Sequence, residues 1–501
     1  MKPLRRIVIA GGGTAGWITA AMLSHLLKGS TTAVELVESE EIGTIGVGES
    51  TIPPFITLLR NLGIDEQDFI RQTSASFKLG IRFRDWYRLG SGYFHPFGAI
   101  GGQIDVHEFY QCWLRAKAHG HPSALMDFAP AAIMADEYRF MLPFKAQRTM
   151  VGAASYALHV DAKRVATYLR RYAEERGAVR TEGRIERVRT RPDGAIEALC
   201  LRGGREVTGD FFIDCTGFRS LLVGQTLGVG LIDWSDQLLC DRAVAVQTEN
   251  TGDTHPFTLS EALGHGWRWR IPLQHRAGNG YVYSSRFLSD DEAVATLRSK
   301  LQGRLLTEPA IIPFKTGMRA RMWEKNCLAL GLAAGFIEPL ESTAIHLVYR
   351  AVDHLARFFP DQDCDPALAA EFNRRMGAEY EEVKDFIVLH YCLSQRDDTP
   401  FWQACRQAPV PASLRARLDL FRASGVLREG LEELFRAVSW QSVYEGMGVR
   451  PARYQGLVET LPLSVITETL DRSAPLLRAQ VQGLPSHDEF LRTHCAAERD
   501  F

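Results

Sequence analysis

The stretch Ile7-Val8-Ile9-Ala10-Gly11-Gly12-Gly13-Thr14-Ala15-Gly16-Trp17 decides the fold. Its apolar, largely β-branched start predicts a buried parallel strand. Gly11, Gly13 and Gly16 satisfy G-x-G-x-x-G where strand turns into helix. Gly11 allows the tight turn, Gly13 lets backbone approach a pyrophosphate, and Gly16 lets helix pack against strand. A helix expected over residues 17–28 directs the N–H groups of its first turn at the phosphates. Thr14 and Ala15, set between the glycines, join them as cofactor-binding candidates. A second apolar run, residues 34–37, ends in Glu38, an acid placed to hydrogen-bond a ribose hydroxyl. Together these form the dinucleotide-binding βαβ unit of an α/β protein.

The 501 residues are enough for two or three domains, or one large domain with insertions. With 46% hydrophobic and 24% charged residues, the composition is that of a soluble globular chain with an ample core. A formal charge of −2 creates no field that would gather nucleic acid or an anionic membrane. The 9 cysteines include no C-x-x-C pair, so neither a zinc site nor a disulfide framework is indicated, and the reading is a reducing cytoplasm. The basic start, residues 1–6, runs into an apolar segment that stops at Ala10, too short for a signal peptide. No apolar run approaches the roughly 18 residues that span a membrane.

Beyond Glu38 the glycine-rich segment 43–54 reads as a functional loop lying against the cofactor, with Gly48, Glu49 and Ser50 as candidates. Residues 76–83 read as extended, so that alternation turns Lys78 away from Phe77 and Leu79. The aromatic cluster from Trp86 to Phe97 reads as loop, because glycines stand at 90, 92, 98, 101 and 102. Asp161 is the expected N-cap of a helix ending near Gly177, and a hairpin follows over residues 185–202. Two further apolar strands end in backbone turns where α/β sheets bind ligands: 211–214, closing on Asp214, and 327–330, leading to Gly331 and Leu332. Between them, about 220–320, strand-like segments predict an inserted, sheet-built substrate layer. It contains Trp267-Arg268-Trp269-Arg270-Ile271-Pro272, whose alternation puts both tryptophans on one face and both arginines on the other. From Ile345 onward the pattern is helical, including a helix over residues 431–445. The expected division is a body over 1–345 and a helical C-terminal cap over 346–501.

Three of these elements taken together, Gly11 to Gly16, Trp-x-Trp-x-Ile-Pro at 267–272, and Glu338-Pro339-Leu340-Glu341-Ser342-Thr343, resemble the flavin-dependent halogenases, most of all the tryptophan halogenase branch. Ser76-Phe77-Lys78-Leu79-Gly80, residues 46–53 and residues 385–391 are similar to that family as well. The resemblance implies a Rossmann-type FAD-binding body in which reduced FAD and O2 turn bromide or chloride into hypohalous acid. A tunnel would carry that acid to a separate electron-rich aromatic, an indole-type compound. Lys78 matches the residue that delivers the halogen, whether its ammonium polarises hypohalous acid or its amine becomes a haloamine. Glu341 matches a carboxylate that stabilises the ring cation and takes its proton. Ser342, Thr343 and Ala344 match the halide-binding segment, and Ile345 the adjoining flavin contact. His95, Phe97 and Trp440 match the aromatic walls around the substrate.

The chain departs from the family pattern in two places. Alanine stands at 344 where relatives carry glycine; a backbone needing positive φ there would be strained, weakening the N–H donors and favouring bromide over the more strongly hydrated chloride. The tyrosines and acid that hold the amino-acid end of free tryptophan are represented only by Tyr444 and Glu445 near Trp440. With no second nucleotide fingerprint, FAD must be reduced by a separate NAD(P)H-dependent flavin reductase. The oligomeric state stays open, a homodimer included. Two other readings share the nucleotide fold: an aromatic hydroxylase, which needs no lysine–glutamate pair, and a non-catalytic flavoprotein that binds another protein.

Overall fold

The parallel strand expected at the start is Arg6–Ala10, and its apolar residues Ile7, Val8 and Ile9 are fully buried. In this computed structural model, which describes residues 2–41, 48–428, 430 and 433–497, the strand lies at the centre of a six-stranded sheet. The order is Trp323–Glu324, Cys327–Ala329, Phe211–Asp214, Arg6–Ala10, Ala33–Glu38, Val179–Glu182. All neighbours are parallel except the short edge strand at 323–324. Ile7 sits between Phe211 and Val34, so the most apolar stretches of three strands align in one layer. Parallel strands buried on both faces read as continuous apolar runs, which is why these were visible in the sequence.

Two compact units make up the chain. The first comprises residues 1–74, 160–236 and 312–384, and holds this sheet. Helix Thr14–Leu26 begins within the glycine motif itself, three residues before the expected start, because Gly13 already adopts the extended N-cap conformation. Helix Ala162–Glu174 starts at the predicted cap: Asp161 accepts hydrogen bonds from the N–H groups of Lys163 (3.0 Å) and Arg164 (3.2 Å). The hairpin is Ile185–Thr190 and Ile196–Leu201, extended by Glu206–Thr208. Helix Ala344–Arg357 is tied to helix Pro366–Cys392 through Glu379, which accepts from Arg350 Nη2 and stands against His354 Nε2, each at 2.8 Å.

The second unit comprises residues 75–159, 237–311 and 385–501. Its core is a seven-stranded sheet, of which six strands in order are Arg242–Thr248, Ala277–Tyr283, Gly266–Pro272, Thr258–Leu263, Gly80–Arg84 and Gly92–Pro96. Residues 92–96, expected as loop, are therefore a strand, paired with residues 80–84 in an antiparallel hairpin. The glycines that suggested a loop lie around this strand rather than within it: Gly90 is in the hairpin turn, Gly92 is the strand's first residue, and those at 98, 101 and 102 follow its end. Gly80 is required by contact: a Cβ there would lie 2.3 Å from the His95 carbonyl oxygen. The Trp-x-Trp alternation holds, and Trp269 lies flat across its partner Gly280, where a Cβ would meet the indole at 2.0 Å.

Among the C-terminal helices, the one expected over 431–445 is Ala437–Gly446, and residues 431 and 432 lie outside the described residues. So do residues 43–47 of the expected cofactor loop, whose remainder forms strand Gly48–Ser50 and leads into helix Pro54–Asn61. No described helix is long and apolar enough to cross a membrane.

Candidate functional site

The glycine turn in the first unit is fixed by contact on one side and left open on the other. Gly11 has φ +109°, and a Cβ there would stand 2.3 Å from the carbonyl oxygen of Cys215, the residue that follows the neighbouring strand Phe211–Asp214. Gly16 is held equally close, with its would-be Cβ 1.9 Å from the Gly11 carbonyl. Gly13 differs: at φ −68° its Cβ would meet nothing within 4 Å. Protein packing does not demand glycine at 13, so its smallness keeps space clear at a helix N-terminus that no side chain caps. Gly331 presses against the same turn, its Cβ position 2.9 Å from that of Ala15.

The acids around this turn have distinct duties. Glu38 accepts from Arg180 Nε at 2.6 Å and from Trp17 Nε1 at 3.3 Å, so its carboxylate is held over Gly12 rather than left to swing. Asp214, fully buried, is engaged by the chain itself: Oδ1 accepts from the Thr216 N–H and hydroxyl, and Oδ2 from the N–H groups of Leu222 and Val223 at 2.8 and 2.9 Å. It shapes the turn and has no free oxygen facing a ligand. Glu49 is half-buried and accepts from Thr14 Oγ1 at 3.2 Å. Burial first, with Asp161 adding repulsion, pushes its carboxyl up to about 7.

The segment from Glu338 to Ile345 closes the first unit's candidate set. Glu341, Ser342, Thr343 and Ile345 are buried. The strain expected at Ala344 is instead at Ser342, whose φ is +61°. Ala344 is exposed and already the first residue of helix Ala344–Arg357, where alanine is at ease. The sequence-based reason for a weakened halide site therefore fails, since the left-handed residue lies two positions earlier. Strained non-glycine backbone of this kind collects at functional turns. His346, which sequence reading passed over, is buried beside a small cavity lined by Thr51, Ile52, Phe55, Ile345 and Tyr349. Burial lowers its pKa to about 4. Nothing in its local pattern separates it from a core histidine on an apolar helix face.

In the second unit Lys78 ends strand Ser76–Lys78 and is fully buried, as are Phe77 and Leu79 around it. Its Nζ stands 5.1 Å from the centre of the Phe97 ring. From there aromatic rings follow one another: Phe97 to His95 at 6.2 Å, His95 to Phe386 at 5.7 Å, Phe386 to Trp440 at 4.9 Å. Phe435, stacked on Phe386 at 3.8 Å, accepts the Trp440 indole N–H through its carbonyl at 3.0 Å. The four residues expected here, Lys78, His95, Phe97 and Trp440, thus belong to one cluster, completed by Phe386 and Phe435, which sequence reading missed.

Two further histidines hold the lysine's strand. His487 Nδ1 donates to the Thr254 carbonyl at 2.8 Å, leaving Nε2 to accept from the Phe77 N–H at 3.2 Å. Ser76 donates to the Pro272 carbonyl at 2.5 Å, and its oxygen faces His159 Nδ1 at 3.2 Å, while Thr258 Oγ1 lies 2.9 Å from Nε2. That arrangement suits neutral imidazoles. Burial depresses both, His487 to about 4 and His159 well below its ordinary value, where Lys78 also opposes protonation.

Known proteins carry the same organisation along the whole chain. The tryptophan halogenase family profile matches residues 6–463. The chain belongs to the tryptophan halogenase family. Tryptophan 7-halogenase RebH of Lentzea aerocolonigenes is 34% identical to it, over 97% of this chain and 98% of that protein. Among solved structures, Xcc4156, a flavin-dependent halogenase from Xanthomonas campestris, superposes with TM-score 0.95 at 45% identity and covers 100% of both chains. BrvH, a flavin-dependent halogenase from Brevundimonas sp. BAL3, does so with TM-score 0.94 at 42% identity, over 98% of this chain and 99% of that one.

The first unit of this halogenase fits a flavin dinucleotide on its own geometry: an uncapped helix start, and a Gly13 whose missing side chain leaves the approach clear. Two outcomes follow for that turn. Gly11→Ala should lower stability by on the order of 3 kcal/mol, from left-handed strain plus overlap with Cys215. Gly13→Ala should leave the thermal midpoint unchanged and weaken flavin binding at least about tenfold. Equal loss of stability in both variants would contradict this division. Glu49→Gln tests the raised carboxyl. The folded state favours the protonated acid, so wild-type stability is undiminished below the unfolded value near 4.5 and declines as pH rises towards 7. The glutamine variant should match wild type at pH 4 and exceed it at pH 8 by up to about 3 kcal/mol. A difference independent of pH would show that Glu49 does not titrate in this way.

Proposed function

We propose that the protein uses reduced FAD, O2 and bromide or chloride to halogenate an electron-rich aromatic of the indole type. The observation that carries this reading is the fully buried Lys78, its amine over Phe97 at the head of a run of aromatic rings. A solvated lysine would serve neither halogen delivery nor exclusion of water. When bound, FAD supplies the two-electron chemistry by which O2 oxidises halide to hypohalous acid. Gly11, Gly13, Thr14, Ala15 and Gly16 hold its pyrophosphate, Glu38, Glu49 and Ser50 lie against its sugar and linking chain, and Gly331, Leu332 and Ile345 support it by backbone. Asp214 acts at one remove, by fixing the turn beside Gly11.

The segment Ser342, Thr343 and Ala344 holds the halide through N–H donors of a helix start rather than a competing cation, with the Ser342 N–H itself donated to the Pro339 carbonyl at 3.1 Å. Lys78 holds the electrophilic halogen by hydrogen bond or as a haloamine. His95, Phe97 and Trp440 sandwich the ring, and Glu341 takes the proton released when the carbon–halogen bond is complete. Free tryptophan is not required by this pocket. Glu445 is engaged by Tyr110 at 2.8 Å and Arg450 at 3.3 Å, and Tyr444 is stacked on Phe421 at 4.2 Å, so neither is directed at an amino-acid end. A separate NAD(P)H-dependent reductase supplies reduced flavin, and nine free cysteines suit work in the cytoplasm.

The test is a product screen with FAD, a flavin reductase, each halide, and indole, tryptophan and larger indoles. Halide-dependent mass shifts support the reading; oxygenated product without halogen would replace it by hydroxylation. Lys78→Ala should abolish halogenated product while flavin affinity and oxidation of reduced flavin stay near wild type. Glu341→Gln keeps the volume but loses the base, so turnover should fall on the order of a hundredfold. An unchanged single-turnover halogenation rate would remove Glu341 from that role.

A further inference from the structure

The arginine face of the second unit's sheet carries more positive charge than its acids balance. Strand pairing sets Arg82 opposite Leu259 and Leu259 opposite Arg270; one step along, Arg84 faces Glu261 and Glu261 faces Arg268. Residues two apart share a face, so four guanidinium groups project from the two strands that flank Thr258–Leu263. Two of them are compensated. Arg268 donates to Glu261 at 2.6 and 2.7 Å, and Arg82 is paired with Asp136 and packed 5.1 and 5.0 Å from the rings of Phe94 and Phe257. Among the described residues, the side chains of Arg84 and Arg270 form no hydrogen bond or ion pair. Arg84 is exposed, but Arg270 is only 9% accessible. Largely buried and without a counter-charge, this guanidinium has lost hydration that a bound anion would replace.

One ring adjoins this face through Phe257, on which Arg82 is packed. His255 stacks on Phe257 at 5.1 Å and meets Tyr138 edge-on at 5.0 Å. Burial, then Arg270, Arg84 and Arg82, drive its pKa down to about 4, with Asp253 alone opposing. At neutral pH it is an uncharged imidazole offering one N–H, beside the Tyr138 ring.

We propose that Arg84, Arg270, His255 and Tyr138 form a binding site for a dianionic oxyanion, a phosphate group. Two uncompensated guanidinium charges match a dianion; a monocarboxylate would leave one standing. Each guanidinium presents a planar fork of donors suited to phosphate oxygens, and the imidazole and phenol supply neutral donors to the remainder. An extended polyanion would need a track of free cations, whereas here Arg82 and Arg268 are already engaged.

The experiment is calorimetry on the flavin-loaded full chain, so that the nucleotide cradle does not contribute. Its ligands are inorganic phosphate, phenyl phosphate and acetate. Phosphate should bind at least about tenfold tighter than acetate, and Arg270→Gln should weaken it about tenfold or more. Because Arg270 is buried, Arg84→Gln, at an exposed position, serves as the variant whose folding is secure, and should also weaken phosphate severalfold. Phenyl phosphate binding tighter than inorganic phosphate identifies the phosphate of an organic molecule; equal affinity identifies the free ion. In parallel, NMR of the His255 ring with sulfate, a dianion that does not titrate, should show its pKa rising from about 4. Phosphate affinity unaltered in both arginine variants, or a His255 titration indifferent to sulfate, would overturn the assignment.

Discussion

A buried amine cannot be surrounded by other cations, and much of the second unit answers to that restriction. Lys78 lies at full burial on a short strand whose neighbours include two histidines. Were His159 to gain a proton, it would add charge beside Lys78 where no water can screen it. Both are instead held by hydrogen bonds that use one nitrogen as donor and leave the other to accept. His487 accepts from the backbone N–H of Phe77, so the geometry that keeps the imidazole neutral also fixes the lysine's strand. Ser76 extends the same connection to the Pro272 carbonyl, and thereby to the strand of the two tryptophans.

The first unit meets a steric restriction rather than an electrostatic one. The turns that follow its two central parallel strands approach until Gly11 touches Cys215, and the following helix approaches until Gly16 touches Gly11. Neither position tolerates a side chain. Gly13 belongs to the same motif for the opposite reason, because the space beside it is not filled by protein. Asp214 then secures the neighbouring turn by accepting from backbone and hydroxyl donors of residues 216–223, and the Glu379 pair with Arg350 and His354 fixes the helix that begins at Ala344. The left-handed Ser342 sits where the short turn Pro339–Glu341 gives way to that helix.

What the sequence made legible follows from these restrictions. Parallel strands buried on both faces announce themselves as apolar runs, and glycines forced by backbone contact keep a fixed spacing, so the nucleotide unit was readable to within a few residues. Lys78, His95, Phe97 and Trp440 were recognisable only through a family resemblance, because a buried lysine and three rings have no local periodicity of their own. His159 and His487 were invisible for a plainer reason. Their partners lie 83 and 410 residues away in the chain, at Ser76 and Phe77. Position 344 was misjudged because an alanine in place of a glycine does not reveal its φ; only the backbone shows that the left-handed residue is Ser342. The strand at 92–96 was mistaken for loop because glycines at the ends of a short strand look the same as glycines within a loop.

Strand Gly266–Pro272 shows how one element serves both faces of a sheet. On one face Trp267 and Trp269 are buried, with Trp269 spread over Gly280; on the other Arg268 and Arg270 stand in register with residues of strand Thr258–Leu263. The terminal proline completes this arrangement. Lacking an N–H, it is tolerated where the strand ends, and its carbonyl remains to accept from Ser76. A one-residue slip would exchange the tryptophans for the arginines and remove the Pro272 carbonyl from Ser76 in the same step. Register here is therefore set from three directions at once, by indole over glycine, by Glu261 against Arg268, and by the hydrogen bond at Pro272. That is why a spacing as short as Trp-x-Trp-x-Ile-Pro can be so restrictive: every second residue answers to a different side of the sheet, and the last one ties the strand to the lysine's.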